Sequence, residues 1–419
     1  MTGTPVVPAH FNRHHRFGAA PMWLMALGLM AGIAVPGSAT AQSRTKVKPV
    51  AVAPLETEEL TVVELKDQMQ PHWLIVNDVA FTHLVDGRAY LLDADSGQFL
   101  AMIPGGQSHN AVQVTPDGTT LLVPATFMAR GSRGARTDVV TWFSLRDLQP
   151  ATEVEIPAKR LQALPLLSAM PLSDDGRFLL IYNFTPEQTM SVVDVANKRF
   201  AGEYETPGCA LAHMTGPRSF LMQCADGSLQ GATIDESGAI ALGATTEPLF
   251  ERDDPATDKP IRMTGADWLF ITFSGAVAQV SGEGQPSVKA RWKLTGEGEQ
   301  GWRPGGLQPY AYHAATGRLF VLMHEGGPGT HKHPGTEIWV FDAAAQTRTA
   351  RIPIETPSTS IAISQDAAPL LYTAMFGSGT LVVRKPEDAS VIRKIEGLGP
   401  DLTLIQPAPI PAAAAASAP

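Results

Sequence analysis

Side chains able to carry chemistry are few in this chain, and they are scattered. The segment MHEGGPGTHKHP holds His324, His331 and His333. Imidazoles are common metal ligands, and two His two residues apart on a strand face the same side, so they could share an ion. The segment is rich in Gly and Pro, however, and offers only Glu325 as a nearby carboxylate. It reads as a polar surface loop, and no metal is assigned. Adjacent carboxylates occur at Asp174-Asp175 and Asp253-Asp254. General acid–base work needs a carboxyl whose pKa is displaced by burial or a charged neighbour. Nothing around either pair marks a desolvated pocket, so both read as turn or loop residues. A Gly-rich phosphate loop and a nucleophile elbow are both missing from the sequence. The residues by themselves therefore assign no catalytic, cofactor-binding or metal site.

The only cysteines are Cys209 and Cys224. In an oxidising compartment they are expected to bridge, and the alternative is two buried free thiols. A bridge closing a loop of about 15 residues stabilises by roughly 3 kcal/mol on the chain-entropy argument. An exported location follows from the N-terminus. Arg13 and Arg16 precede an apolar stretch from Gly18 to Val35, and Ala39-Thr40-Ala41 supplies small residues before Gln42. This pattern predicts a signal peptide over 1–41, cleaved on export to a periplasm. The alternative, a membrane anchor, needs a longer run. Residues 42–59 read as a linker, and the Pro/Ala-rich 406–419 as a disordered tail.

The elements between them repeat. An apolar strand ends in a polar turn at Asp93, Ser144, Asp194, Asp342 and Lys385, and fainter copies end at Asp235 and Ser281. A period in the forties to fifties with several strands per period predicts an all-β, seven-bladed β-propeller over 60–405. The count depends on the two fainter copies. Asp-Gly or a relative before an apolar strand, as in TPDGTTLLV and SDDGRFLLIY, marks tight turns. The 38 Gly and 34 Pro among 419 residues suit a chain with many such turns, and 44% apolar residues suffice for a large core. A ring of blades must close, and residues 60–78 are the expected N-terminal share of the closing blade. The net charge of −9 argues against a nucleic-acid partner.

Several segments carry a resemblance. GWRPGG at Gly301–Gly306, the stretch running on to Asp342, the segment Val76–Gly106 and the arginine-rich Ala129–Val140 resemble the heavy subunit of the quinoprotein amine dehydrogenases. That family comprises methylamine and aromatic amine dehydrogenases, and the His324–Ile338 segment is slightly more similar to the aromatic branch. The Cys209–Cys224 step is similar to the family's heavy-chain disulfide. The resemblance implies a seven-bladed propeller in an α2β2 heterotetramer of the periplasm. Tryptophan tryptophylquinone is then expected in the small subunit, with no cofactor in this chain, and a blue-copper protein takes the electrons. This chain would act as scaffold and substrate-channel wall. The resemblance places Phe81 at the channel, the alternative being a core aromatic at a strand end. Packing is the expected role of the tryptophans. Pro353–Pro357 departs from the family pattern and is expected to reshape a connection. Competing readings are a stand-alone periplasmic propeller that binds a ligand or protein, and, last, a propeller lactonase.

Overall fold

The computed structural model describes residues 64–409. The predicted signal peptide, the linker and residues 410–419 lie outside them. Strands dominate, and among the described residues helix is limited to two short 3-10 turns, Phe81–Asp86 and Leu167–Ala169. The described strands form six sheets. In the first, Leu402–Pro407, Trp73–Asp78, Gly87–Asp93 and Gln98–Gly106 run as one meander, and Thr120–Met128, Arg136–Ser144 and Pro150–Ile156 as another. A single parallel pair, Gly106 opposite Thr126, joins the two. Divided there, the described chain consists of seven consecutive antiparallel meanders of three to five strands.

Each turn marker read from the sequence closes the same strand of its meander. Asp93, Ser144, Asp194, Ser281 and Asp342 end strands, while Asp235 and Lys385 come immediately after Ile234 and Arg384. The fainter pair therefore mark real units. The paired strands Phe178–Asn183 and Thr189–Asp194 are buried at every position. Alternation is lost because both faces of each sheet are covered by neighbours. Outer strands such as Ser287–Lys293 are largely exposed and charged, which blunts an unpaired edge. The Pro353–Pro357 departure falls in such a strand, Thr347–Ser358, where the outward side needs no ladder donor.

Among the described residues, seven hydrophobic clusters fill the spaces between consecutive meanders. One of them joins Tyr372, Leu381 and Val383 near the end of the chain to Leu74, Tyr90 and Leu92 near its start. Within the expected 60–78 segment, Trp73–Asp78 forms the shared strand, and it pairs with both Gly87–Asp93 and Leu402–Pro407. The last strand corrects the tail boundary. Gln406 and Pro407 belong to it, and Gln406 is 8% exposed. Composition points the other way, but the Gln406 side chain completes buried backbone groups: its Oε1 accepts from Asn77 Nδ2 (2.7 Å) and the Val112 N–H (3.3 Å), and its Nε2 donates to Val112 O (2.6 Å).

Candidate functional site

The turn bearing Phe81 links Trp73–Asp78 to Gly87–Asp93 and is held by two buried carboxylates. Ala80 enters it at φ +47°, a left-handed conformation that strains a residue with a Cβ. Asp78 Oδ1 accepts the Ala80 N–H (3.0 Å), and Asp401 Oδ2 accepts the Phe81 N–H (2.6 Å). Hydrogen bonds to an ionised acceptor are the stronger kind, and they offset that strain. Asp78 is fixed in turn by the Tyr90 hydroxyl, which donates to its Oδ2 (2.8 Å) and accepts from the Gly399 N–H (3.2 Å). Burial, together with the Asp78 hydrogen bond and charge, pushes the Tyr90 pKa up to about 12, so it stays a donor at physiological pH. Gly399 has to be glycine, because a Cβ there would lie 1.6 Å from Asp78 Oδ2.

Phe81 itself is 49% exposed, which rules out the core-aromatic alternative. Its ring meets Phe376 edge-on, with centroids 5.8 Å apart at 73°. Leu84 and Val85 on the same turn are also exposed. Sequence reasoning misses Asp78, Asp401 and Phe376. No local pattern marks them, since Phe376 and Asp401 come from the far end of the chain.

Of the three histidines, His324 and His333 are neighbours, with ring centroids 5.7 Å apart at 41°, and His331 packs elsewhere. His324 lies buried at the end of the strand Arg318–Glu325, with Nε2 at 2.9 Å from Thr330 Oγ1. Burial, reinforced by His333 and Arg303, lowers its pKa to about 4, so the ring is neutral. His331 stacks flat on Phe273, 3.9 Å between centroids. Among the described residues no group of three or more His, Cys, Asp or Glu side chains is placed to hold a metal. Asp174 takes both guanidinium nitrogens of Arg262 (2.6 and 2.7 Å), and Asp254 accepts from the backbone N–H and hydroxyl of Ser274 (2.8 and 2.6 Å). Cys209 and Cys224 face each other across adjacent strands and are bonded, with S–S 1.99 Å.

A separate cavity of about 390 Å³ collects residues from five meanders, including Gln113, His213, Ile261, Tyr310 and Leu404. Its walls are mostly apolar. His213 is neutral there, its pKa lowered to about 4 by burial. Phe81 is not among the residues that line it.

Meanders of this kind, stacked in series around shared apolar interfaces, define a β-propeller-like protein. The Swd1 β-propeller domain of Myceliophteria thermophila is similar, with TM-score 0.50 and 10% identity over 80% of this chain and 97% of that one, a likeness of fold alone. The family described as methylamine dehydrogenase heavy chain (MADH) matches residues 71–408. The chain belongs to that family. It is 29% identical to the methylamine dehydrogenase heavy chain of Methylorubrum extorquens over 319 residues, 74% of this chain and 76% of the relative. The heavy chain of Methylophilus methylotrophus is also 29% identical, over 74% of this chain and 77% of the relative.

Proposed function

We propose that this chain is the heavy subunit of a periplasmic amine dehydrogenase, a closed seven-bladed ring that holds a quinone-bearing small subunit and walls its substrate channel. The observation that carries this reading is the family match over residues 71–408. Closure is supported by the seven interfaces, whose last returns to the first meander, and by the strand pair between Trp73–Asp78 and Leu402–Pro407. The assembly is α2β2, the small subunit carries tryptophan tryptophylquinone, and a blue-copper protein accepts the electrons.

The quinone supplies the electrophilic carbonyl and the electron sink for oxidising a primary amine. Among the described residues, Trp302 and Trp339 pack against each other, with ring centroids 5.4 Å apart at 34°. Trp339 is fully buried and donates to Glu337 Oε2 (2.6 Å), and Arg351 lies over both Trp302 and Trp339. Trp268 donates to Met214 O (3.0 Å). What this chain contributes is position. The Phe81 turn offers an apolar, half-exposed aromatic on a clamped backbone, suited to contact the substituent of an amine and to limit water.

Co-expression with a candidate quinone-bearing small subunit tests the reading. The expected result is a complex with quinone absorbance and amine-dependent reduction of an electron acceptor. A chain that purifies alone and colourless beside that candidate partner refutes it and favours a stand-alone binding propeller. In the active complex, Phe81→Ala is expected to change the ratio of kcat/KM between a bulky and a small amine, with assembly intact. An unchanged ratio removes Phe81 from the channel.

A further inference from the structure

We infer that Phe376 is a second specificity-determining residue, acting with Phe81 as a paired aromatic wall, and that Asp401 is the positioning residue that holds the pair in register. The inference rests on the channel reading of Phe81. Its grounds are geometric.

Phe81 projects from a turn of six residues, which by itself would leave the ring free to swing. Two contacts limit that freedom, one on the ring and one on the backbone, and both come from the last quarter of the chain. The Phe376 ring abuts the Phe81 ring edge-on at 5.8 Å. Aromatic pairs in this arrangement are favoured because the positive edge of one ring meets the negative face of the other, a preference of about twofold to tenfold in a conformational equilibrium. Asp401, 7% exposed, fixes the backbone from which Phe81 projects through its carboxylate, and its own carbonyl accepts the Val79 N–H (3.3 Å). Phe376 is anchored too, since its N–H donates to Thr359 Oγ1 (2.9 Å), which donates to Ala374 O (3.3 Å). The loop from Met375 to Thr380 and the segment before Leu402 therefore meet the Phe81 turn from the opposite end of the chain. They are linked to each other as well, through the Gly377 N–H to Pro400 O (2.7 Å).

A wall made of two rings discriminates differently from one made of a single ring. Removing Phe376 leaves Phe81 in place but able to tilt away from a bulky substituent. The penalty on a large amine falls while handling of a small amine is little changed. Such a change moves relative kcat/KM between substrates. A role confined to folding would lower the yield or midpoint of unfolding and leave that ratio alone.

The test uses the complete complex carrying Phe81→Ala, Phe376→Ala, Phe376→Leu, the Phe81/Phe376 double substitution, or Asp401→Ala. Methylamine and a phenylethylamine serve as the small and bulky probes, and thermal midpoints are measured alongside. The expected result is a shift of the kcat/KM ratio by about twofold to tenfold in Phe376→Ala, in the same direction as in Phe81→Ala. The double substitution should change it less than the product of the two. Phe376→Leu should fall between wild type and Phe376→Ala, and Asp401→Ala should shift the ratio the same way. A crystal structure of Phe376→Ala is expected to show the Phe81 ring reoriented. A ratio altered by Phe81→Ala but not by Phe376→Ala overturns the inference and leaves the channel reading standing. A ratio unaltered by Phe81→Ala ends both. A lowered midpoint with an unchanged ratio assigns Phe376 to folding and overturns the inference.

Discussion

Substitution of Gln406 by Ala is expected to open the junction between the two chain ends. The Gln406 amide makes three hydrogen bonds, to Asn77 and to both backbone groups of Val112. Val112 is fully buried, and so is Asn77. Asn77 keeps a second acceptor, Leu404 O at 3.2 Å, and its Oδ1 stays with His109 Nε2 at 2.8 Å. The loss therefore concentrates on Val112, whose N–H and C=O lose the side chain that satisfies them. A buried polar group left without a partner costs about 1–3 kcal/mol, so two cost about 2–6 kcal/mol, and the third bond, at about 1 kcal/mol, brings the expected loss to about 3–7 kcal/mol. Gln406→Glu retains the acceptor but faces Val112 O with a second oxygen, and is expected to be no better. The assay is guanidinium denaturation of the oxidised chain, followed by tryptophan fluorescence and far-UV circular dichroism so that coincidence of the two probes checks two-state behaviour. Asn77→Ala combined with Gln406→Ala should fall short of additivity, because the two share a bond. A loss below about 1 kcal/mol for Gln406→Ala refutes the argument, since two orphaned backbone groups cannot cost so little unless water reaches them.

Replacing both cysteines with serine releases a cross-link spanning 15 residues and is expected to cost about 2–4 kcal/mol; equal stability with and without reductant would contradict this. His72 bridges Asp95 (2.8 Å) and Asp366 (3.2 Å), joining the start of the described chain to a turn of the last meander. Burial works against its charge, but the Asp95 hydrogen bond and the charges of both carboxylates prevail and raise its pKa above 6.5. Its contribution to stability is therefore complete below the unfolded-state pKa and is lost as pH rises through the folded one. The stability difference between wild type and His72→Gln should shrink from pH 6 to pH 9, and a difference that grows reverses the assigned sign. Together with the amine preferences expected for Phe81 and Phe376, these tests separate the stability of the chain from its part in the reaction.

Much of the architecture is legible in local sequence because it is written in local physics. The turns at Asp93, Ser144, Asp194, Asp235, Ser281, Asp342 and Lys385 each close a strand, since strand ends in a meander need polar, turn-forming residues whatever surrounds them. The Cys209–Cys224 bridge reflects two cysteines facing each other on adjacent strands. The boundary at Gln406 escapes such reading. Pro and Ala dominate the residues after it, and composition cannot register that one amide finds a partner 294 residues away. Phe81 is reachable through resemblance, but its exposure, its clamp and its companion ring lie beyond any reading of neighbouring residues. Asp401 is 320 positions from the N–H it binds. The chain alone specifies strands, turns and their repeat, because those depend on side chains a few residues apart. Which distant carboxylate, amide or ring meets a given turn is decided only when the sheets stack, because contact then depends on the relative placement of elements whose sequences carry no mutual signal.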